Sequence, residues 1–213
     1  MKFFYTTILI LMTFFLSSCG ISDSPEDSLQ EIQDALNKRD FEKFSARVDT
    51  EKLFAQIYED ATIELAKNCE TYGQKYPRDP YFQHDSDFIR KYNAEHKDLH
   101  LDFARKSMAA YFENLPEPKE PNENPYAYVA HEFTKIHLVS TAAVEDVKIN
   151  GNSATVTVNI KGDGSLRGMF VGKLTFKLGF EKIKDKWTLT KIENIEELTP
   201  TIVDKAELIW INL

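Results

Sequence analysis

The sequence predicts an α+β domain in which N-terminal helices pack on a curved antiparallel β-sheet. Apolar residues recur at helical spacing from about residue 25 to 67, and again from 85 to about 115. Residues 116–125 are an acidic connector with four of the eight prolines, which fits neither a helix interior nor a central strand. Apolar and polar residues then alternate, as they do in strands with one buried face.

The N-terminal stretch has the order of a bacterial lipoprotein signal. Lys2 is a short positive region, and residues 3–16 are uncharged and too short to span a bilayer as a helix. Leu16-Ser17-Ser18-Cys19 then has the pattern of a lipobox, in which the cysteine thiol accepts the lipid. The alternative is an ordinary signal peptide, or a small anchor helix, with an incidental cysteine.

This resemblance to bacterial lipoproteins implies cleavage before Cys19 and a membrane anchor there. The anchor would be a diacylglyceryl group with, often, an N-acyl chain such as palmitate, and two or more chains hold a protein stably. The domain would then be exported and held at the cell membrane or the outer membrane of the envelope. Gly20, rather than Asp, follows the cysteine, which favours the outer membrane where a cell has two.

We therefore expect three parts along the chain. Residues 1–18 are the predicted signal peptide, 19–23 the lipidated tether, and 24–213 a single α+β domain. Within it we expect a helical half at 24–115, the connector at 116–125 and a sheet half at 126–213. Removing residues 1–18 from the 213 leaves 195, enough for a sizeable core.

Three short helices are predicted to open the domain. Ser24 caps the first, with Pro25 at its first position, and Asn37-Lys38-Arg39 closes it. Asp40 caps a second helix over 41–48, and Asp49-Thr50 begins a third. The residues predicted to face inward are Leu29, Ile32, Ala35, Leu36, Phe41, Phe44, Val48, Leu53, Phe54, Ile57, Tyr58, Ala61 and Leu65.

The same segment resembles exported, often lipid-anchored proteins of the nuclear transport factor 2-like superfamily, which have a cystatin-like fold. The resemblance lies in Ser24-Pro25-Glu26-Asp27-Ser28-Leu29, Ala35-Leu36, Arg39-Asp40-Phe41-Glu42-Lys43-Phe44 and Val48-Asp49. It implies helices curled against a strongly bent antiparallel sheet. The helical middle, 67–125, is longer than compact members of that superfamily need. The superfamily contains both enzymes and non-catalytic proteins, so the resemblance leaves the activity open.

The middle and the sheet half follow in order. A break at 76–80 precedes a long helix from His84-Asp85-Ser86-Asp87 to about Leu115, whose apolar stripe is predicted as Phe88, Tyr92, Leu99, Phe103 and Tyr111. Asn150-Gly151 predicts a type I′ hairpin turn after Val147 and Ile149. The inward positions of the following strands are predicted as Ala154, Val156, Val158, Ile160, Leu174, Phe176, Leu178 and Phe180. A turn at 184–186, a strand at 187–192 and a terminal helix over 201–210 complete the prediction.

No catalytic or metal-binding set is predicted. His96 and His100 are four residues apart and could meet one zinc ion, but no third ligand is marked nearby, and solvent-facing histidines are the alternative. His131-Glu132 begins like a zinc-protease motif and fails at Lys135. Cys69 has no partner once Cys19 carries lipid, so we expect it to be buried and inert rather than reactive. No cofactor is expected.

The charge excludes some partners. Lys2 is the only charged residue of 1–18, so its removal takes the formal net charge from −8 to −9. An acidic exported domain argues against nucleic acid and against electrostatic docking to anionic lipid.

Three functions remain after these exclusions. The first is a non-catalytic lipoprotein that binds a partner protein or a small apolar ligand, in a cleft lined by Phe176, Phe180 and Trp187 from the sheet and by Phe54 and Tyr58 from the helices. The second is an isomerase, dehydratase or hydrolase, which would need a buried Asp, His or Tyr set converging in the cleft. The third is an envelope scaffold without a pocket.

Overall fold

The structure, a computed structural model, describes residues 23–211 of the chain. The predicted lipobox and Cys19 lie outside the described residues. The helices are α1 Pro25–Lys38, α2 Phe41–Ser45, α3 Thr50–Lys67, α4 Cys69–Lys75, α5 Ser86–Phe112, α6 Pro125–Leu138, α7 Leu166–Val171 and α8 Ile195–Ile211, with a 3₁₀ helix at Pro80–Gln83. The strands are β1 Ser140–Asn150, β2 Ser153–Gly162, β3 Lys173–Ile183 and β4 Lys186–Ile192.

The α+β prediction is confirmed, with helices packed on an open antiparallel sheet of four described strands in the order β1-β2-β3-β4. Val156 of β2 pairs with Leu178 of β3, and Phe180 pairs with Leu189 of β4. Because residues two apart share a face, this register gathers the predicted inward positions of β2 and β3 on one side, where all eight are buried. A β-bulge lies between Val144 and Asp146 of the edge strand β1.

The predicted starts of the first three helices are also confirmed. Ser24 and Asp27 form a capping box at α1, in which the Ser24 side chain accepts from the Asp27 amide and the Asp27 carboxylate accepts from the Ser24 amide. Asp40 and Asp49 cap α2 and α3 through their carboxylates. Carboxylates also suit these positions because a helix N-terminus carries partial positive charge.

The second helix ends earlier than predicted, at Ser45 rather than Val48. Val48 instead forms a parallel bridge with Leu189 of β4. The Leu189 amide donates to the Arg47 carbonyl at 2.8 Å, and the Asp49 amide donates to the Leu189 carbonyl at 3.0 Å. These bonds satisfy part of the outer edge of β4, which a longer helix would leave unpaired.

One hydrophobic core joins the inner face of the sheet to α1, α3 and parts of α5 and α6. Helix α3 packs on both β4 and α5, and α6 packs on α5. The predicted inward residues of α1 and α3 are all buried, whereas Phe41 of α2 is 47% exposed.

The predicted stripe of the long helix is right in part, since Tyr111 is buried and Tyr92 and Phe103 are half-buried, but its other two positions are exposed. Phe88 and Leu99 are 37% and 58% exposed. The residues that α5 buries are Ile89, Asn93, His100, Leu101, Ala104, Ser107, Met108, Ala110 and Tyr111. Three of these are polar, so the buried face is not the most apolar one, and Phe88 and Tyr92 stack with histidines instead.

Helix α6 was not predicted and precedes the sheet. Asn124 caps it by accepting from the Ala127 amide, and Pro125 occupies its first turn. Two of its four buried positions, Ala127 and Ala130, carry alanine, so its apolar periodicity is weak. At the other end of the fold, α8 begins six residues before the predicted start, at Ile195.

The β1–β2 hairpin turn differs from the predicted type. Gly151 and Asn152 form the β1–β2 loop, and only Gly151 has a positive φ, 61°. A type I′ turn needs positive φ at both loop residues, so this turn is not of that type. Lys184 and Asp185 of the β3–β4 turn do meet that condition, with φ of 49° and 63°.

Across residues 23–211, none of the helices combines the length and the apolar character needed to cross a bilayer.

Candidate functional site

The side chains expected to line a cleft belong to the core. Phe176 and Phe180 of the sheet are 0% and 1% exposed, and Trp187 is 4% exposed. Facing helix residues Phe54 and Tyr58 are 8% and 2% exposed. All five belong to the same apolar cluster, so they support the fold from inside it.

A polar network lies between α3 and α5. The Tyr58 hydroxyl donates to the Asn93 carbonyl at 2.6 Å and lies 3.1 Å from Nδ1 of His100. The Asn93 side chain donates to Thr62 Oγ1 at 3.0 Å and accepts from the Tyr81 hydroxyl at 3.1 Å. Tyr58 uses its single hydroxyl proton in the bond to the Asn93 carbonyl, so its oxygen accepts in the 3.1 Å contact. Nδ1 of His100 is therefore protonated and donates that bond. Nε2 is therefore the basic nitrogen of that ring.

Burial keeps this network neutral. It lowers the pKa of His100 to about 4 and raises the pKa of Tyr58 far above its usual value. The cause is the same for both side chains, since a low-dielectric surrounding disfavours the charged form of each. At neutral pH the pair is therefore an uncharged imidazole beside an uncharged phenol.

We expect this network to make the domain sensitive to acid. The native state holds His100 neutral, while the unfolded state binds a proton near the usual pKa of 6.5. The contribution of neutral His100 to the free energy of unfolding is therefore fully present above about pH 6.5. It is lost as the pH falls towards 4, and the loss is ~1–3 kcal/mol. Urea unfolding of the domain at pH 7.5 and pH 4.5 measures this difference.

The variant His100→Gln should lose part of that acid-dependent difference, although it will be less stable at neutral pH. His96→Gln, on the same helix and half-exposed, is the matched control and should keep the difference. An equal acid-dependent loss in wild type and His100→Gln would contradict the assignment to His100.

His100 also ends a column of stacked rings along one side of α5. We call His84, Phe88, Tyr92, His96 and His100 the imidazole–aromatic column. Successive ring centroids lie 3.8, 5.8, 4.1 and 5.9 Å apart. The spacing of four residues places these rings one above another on the helix surface.

The column contains both histidines that were considered for a zinc site. Nδ1 of His96 lies 2.8 Å from the Tyr92 carbonyl, and Nδ1 of His100 contacts Tyr58. In the part of the chain that the structure describes, no group of three or more His, Cys, Asp or Glu side chains is placed to hold a metal ion.

An open groove lies at the exposed end of the column, between α4, the 3₁₀ helix and the start of α5. Its volume is about 490 Å³. Its floor contains Phe82, and exposed acidic and amide side chains lie at its rim. The residues that line it are Cys69, Glu70, Gly73, Gln74, Phe82, Gln83, His84, Asp85 and Ser86.

Close packing of α4 on the 3₁₀ helix shapes this groove. A Cβ atom at Gly73 would lie 2.5 Å from the Phe82 carbonyl oxygen, so glycine permits the approach. Gln83 donates to the carbonyls of Gly73 and Tyr76, both at 3.3 Å. The Phe82 ring packs on Tyr72 and Tyr81, at centroid distances of 5.1 and 5.2 Å. Tyr81 thus connects the groove floor to the polar network.

Cys69 is a buried free cysteine at the groove, 8% exposed, as its helical spacing predicted. Sequence patterns did not reveal the roles of Tyr81, Phe82 and Asn93. The break at 76–80 marked the place where the chain turns back on α4, but nothing in the spacing connects Asn93 with Thr62.

No protein-family model, curated protein or solved structure matches this chain.

Proposed function

We propose that this chain is a lipid-anchored, non-catalytic binding protein of a bacterial envelope, with the groove between α4 and α5 as its binding site. The observation that carries the proposal is the groove itself. It is open to solvent, has at its floor the apolar side chains of Phe82 and Cys69, which are 4% and 8% exposed, and has charged or ionisable groups at its rim, including Glu70, His84 and Asp85. Apolar surface with a few polar groups is typical of sites that bind other molecules.

The expected ligand is a segment of a partner protein or a small apolar molecule. Phe82 is 4% exposed and offers only an edge to a ligand, whereas Phe88, 37% exposed and stacked on His84 at 3.8 Å, supplies an aromatic surface beside the groove. An open groove suits a chain segment that lies across it, whereas a small ligand would occupy the floor alone.

We also propose the nuclear transport factor 2-like fold for the domain. The support is the order of parts that the resemblance implies, a proline-started α1, a break capped by Asp40, a short α2 and an antiparallel meander. The helical middle between α3 and β1 then represents an enlargement, and the groove lies in it.

A tryptophan placed in the groove tests the site. The domain from Ser22 onward is purified, extracts are analysed by mass spectrometry for co-purified molecules, and the domain is titrated with anilinonaphthalene sulfonate. We expect Glu70→Trp to reduce saturable dye binding about tenfold, because the indole fills the groove. Glu59→Trp, also at an exposed position but on α3, is the control, and it removes the ion pair of Glu59 with Lys97. No saturable binding and no co-purified molecule would contradict the proposal for small ligands.

The thiol of Cys69 gives an independent measurement, since it is the only cysteine from Ser22 onward. A dye bound in the groove should protect Cys69 from a thiol reagent. The rate of the reaction should therefore fall in proportion to the fraction of grooves that hold dye. In a Cys69→Ser background, Ser153→Cys at the exposed β1–β2 hairpin should react at an unchanged rate. Equal slowing at both positions would show that the dye acts elsewhere.

The enzyme alternative has one observation in its favour, the buried pair of Tyr58 and His100. The pair combines a neutral imidazole with a phenol, the groups of a general base and a proton donor, but a pKa of about 4 makes His100 a weak base at neutral pH. The Tyr58 proton is already engaged with the Asn93 carbonyl, which favours a structural role. Turnover of an ester, enol or phosphate substrate, lost in His100→Gln and kept in His96→Gln, would assign the chain to the enzymes.

A further inference from the structure

The most exposed large apolar side chain of the described residues lies on a short helix between β2 and β3. Leu166 is 89% exposed and Met169 is 69% exposed. They are three residues apart on α7, so they share one face of it. Leu138, at the end of α6, is 76% exposed at the same corner, where the Asp163 amide donates to the Val139 carbonyl at 2.7 Å. We call residues 161–173 the α7 tip.

The α7 tip is held in place from both ends. Ser165 caps α7 by accepting from the Gly168 amide at 3.0 Å, and Asp163 accepts from the Ser165 amide at 2.9 Å. At the other end, Lys205 of α8 donates to the Phe170 carbonyl. The outward direction of Leu166 and Met169 is therefore set by hydrogen bonds at both ends of the helix.

The α7 tip is basic in an acidic chain. Residues 161–173 contain three cationic side chains, Lys161, Arg167 and Lys173, and one acidic side chain, Asp163, whereas the whole chain has a net charge of −8. Lys161 and Lys173 are direct cross-strand partners, an arrangement that like charges disfavour. Arg167 lies 3.7 Å from Glu132, which Lys135 already contacts at 2.7 Å.

We propose that the α7 tip docks on an anionic bilayer surface, with Leu166 and Met169 inserted among the acyl chains and Lys161, Arg167 and Lys173 at the head groups. Protruding apolar residues with basic neighbours are the features that hold short amphipathic helices at a membrane interface. Leu166 and Met169, 89% and 69% exposed, present that apolar face to solvent. The net charge of the chain argued against such docking, but that charge is unevenly distributed.

The start of the domain allows this contact. Ser28 of α1 donates to the Trp187 carbonyl at 2.7 Å, and Asn37 near its other end lies 3.0 Å from His137 of α6. Helix α1 has 14 residues and thus a length of about 21 Å between the tether and the side of the α7 tip. Residues 20–23 can reach ~14 Å. The lipid at Cys19 and the α7 tip can meet one bilayer only in an orientation that turns the acidic side chains of α1, Glu26, Asp27, Glu31 and Asp34, away from the head groups. This orientation rests on the proposed lipid anchor.

Vesicle binding of the domain from Ser22 onward, which lacks Cys19, tests the docking separately from the anchor. We expect sedimentation with vesicles rich in phosphatidylglycerol, weakened by salt, and little with phosphatidylcholine vesicles. Lys161→Glu/Lys173→Glu should weaken vesicle binding by at least about tenfold. Lys184→Glu/Lys186→Glu, the same charge change at exposed positions of the β3–β4 turn, should bind as the wild type does.

A second pair of double variants, matched in the charge they introduce, tests the apolar contact. Leu166→Asp/Met169→Asp should abolish vesicle binding, while Ile63→Asp/Leu99→Asp, at positions 52% and 58% exposed, should keep it. Brominated lipid should quench a tryptophan in Leu166→Trp and not in Leu99→Trp.

The docking proposal is overturned if phosphatidylglycerol vesicles are not bound, or if the β3–β4 turn variant loses binding as the tip variant does. It is equally overturned if the wild-type domain is a dimer that Leu166→Asp/Met169→Asp converts to a monomer, since a second copy would then cover the tip.

Discussion

Replacing Phe176 with aspartate should leave the domain unfolded at room temperature. The Phe176 ring is fully buried on the inner face of β3, between partners on β2 and in the core against the helices. Loss of the ring costs ~3–5 kcal/mol, and burial of an unpaired carboxylate adds several more. A typical domain has only ~5–15 kcal/mol of stability. Circular dichroism and thermal unfolding of the domain from Ser22 onward measure the effect.

Two further variants keep this prediction quantitative. Phe176→Leu should fold and lose about 1–2 kcal/mol, because the buried site is kept and only part of the volume is removed. Thr157→Asp carries the same new charge on the outer face, where its cross-strand partners are Lys177 of β3 and Asp146 of β1. It should change the free energy of unfolding by about 1 kcal/mol at most.

Lys177→Asp is a less neutral control than its outward position suggests. Lys177 lies 2.8 Å from Glu197, so the new carboxylate would face another one. Its side chain is 42% exposed, which makes the loss small. If Thr157→Asp unfolds the domain and Phe176→Asp does not, the assignment of inner and outer faces is inverted.

Local sequence rules predicted the parts of this fold that local chemistry determines. The capping residues Ser24, Asp40 and Asp49 each satisfy helix amides a few positions away, so the helix starts could be predicted without knowledge of the rest. Alternation on β2 and β3 also sufficed, because the sheet buries one face and exposes the other.

The same rules failed where contacts with distant segments determine the end of a helix or its buried face. Val48 lies outside α2 because it forms a bridge with Leu189 at the edge of β4. Leu189 is far from Val48 in the sequence, so local patterns do not predict this bridge. The buried face of α5 carries Asn93 and His100 because Tyr58 and Thr62 of α3 supply their hydrogen bonds. An apolar stripe cannot reveal such a face, and exposed Phe88 and Leu99 misled the prediction.

The groove shows the same division. Buried Cys69 could be predicted from helical spacing, and the break at 76–80 could be predicted from Pro77 and Pro80. The return of the 3₁₀ helix onto α4 depends on the close approach of Phe82 to Gly73, which no sequence period records. The groove was therefore outside the sequence prediction, and the predicted cleft was placed among residues that form the core.

Replacing Cys19 with alanine should abolish lipid attachment completely. The prediction follows from Leu16-Ser17-Ser18-Cys19 and from the chemistry of the thiol, which alanine lacks. Cells that express the full chain are fed a clickable fatty acid, and the protein is isolated and examined for label. Wild type should carry the label, and Cys19→Ala should carry none and retain residues 1–18, which mass spectrometry of the intact chain detects.

Cys69→Ala is the matched control, because it removes the other cysteine of the chain. It should label as the wild type does, since Cys69 is buried in the folded domain. Label in Cys19→Ala equal to that of the wild type would contradict the lipobox. Label lost in Cys69→Ala and kept in Cys19→Ala would move the acylation site into the groove. Label lost in Cys19→Ala alone, together with vesicle binding by the unlipidated domain, would establish two separate membrane contacts, one covalent and one through the α7 tip.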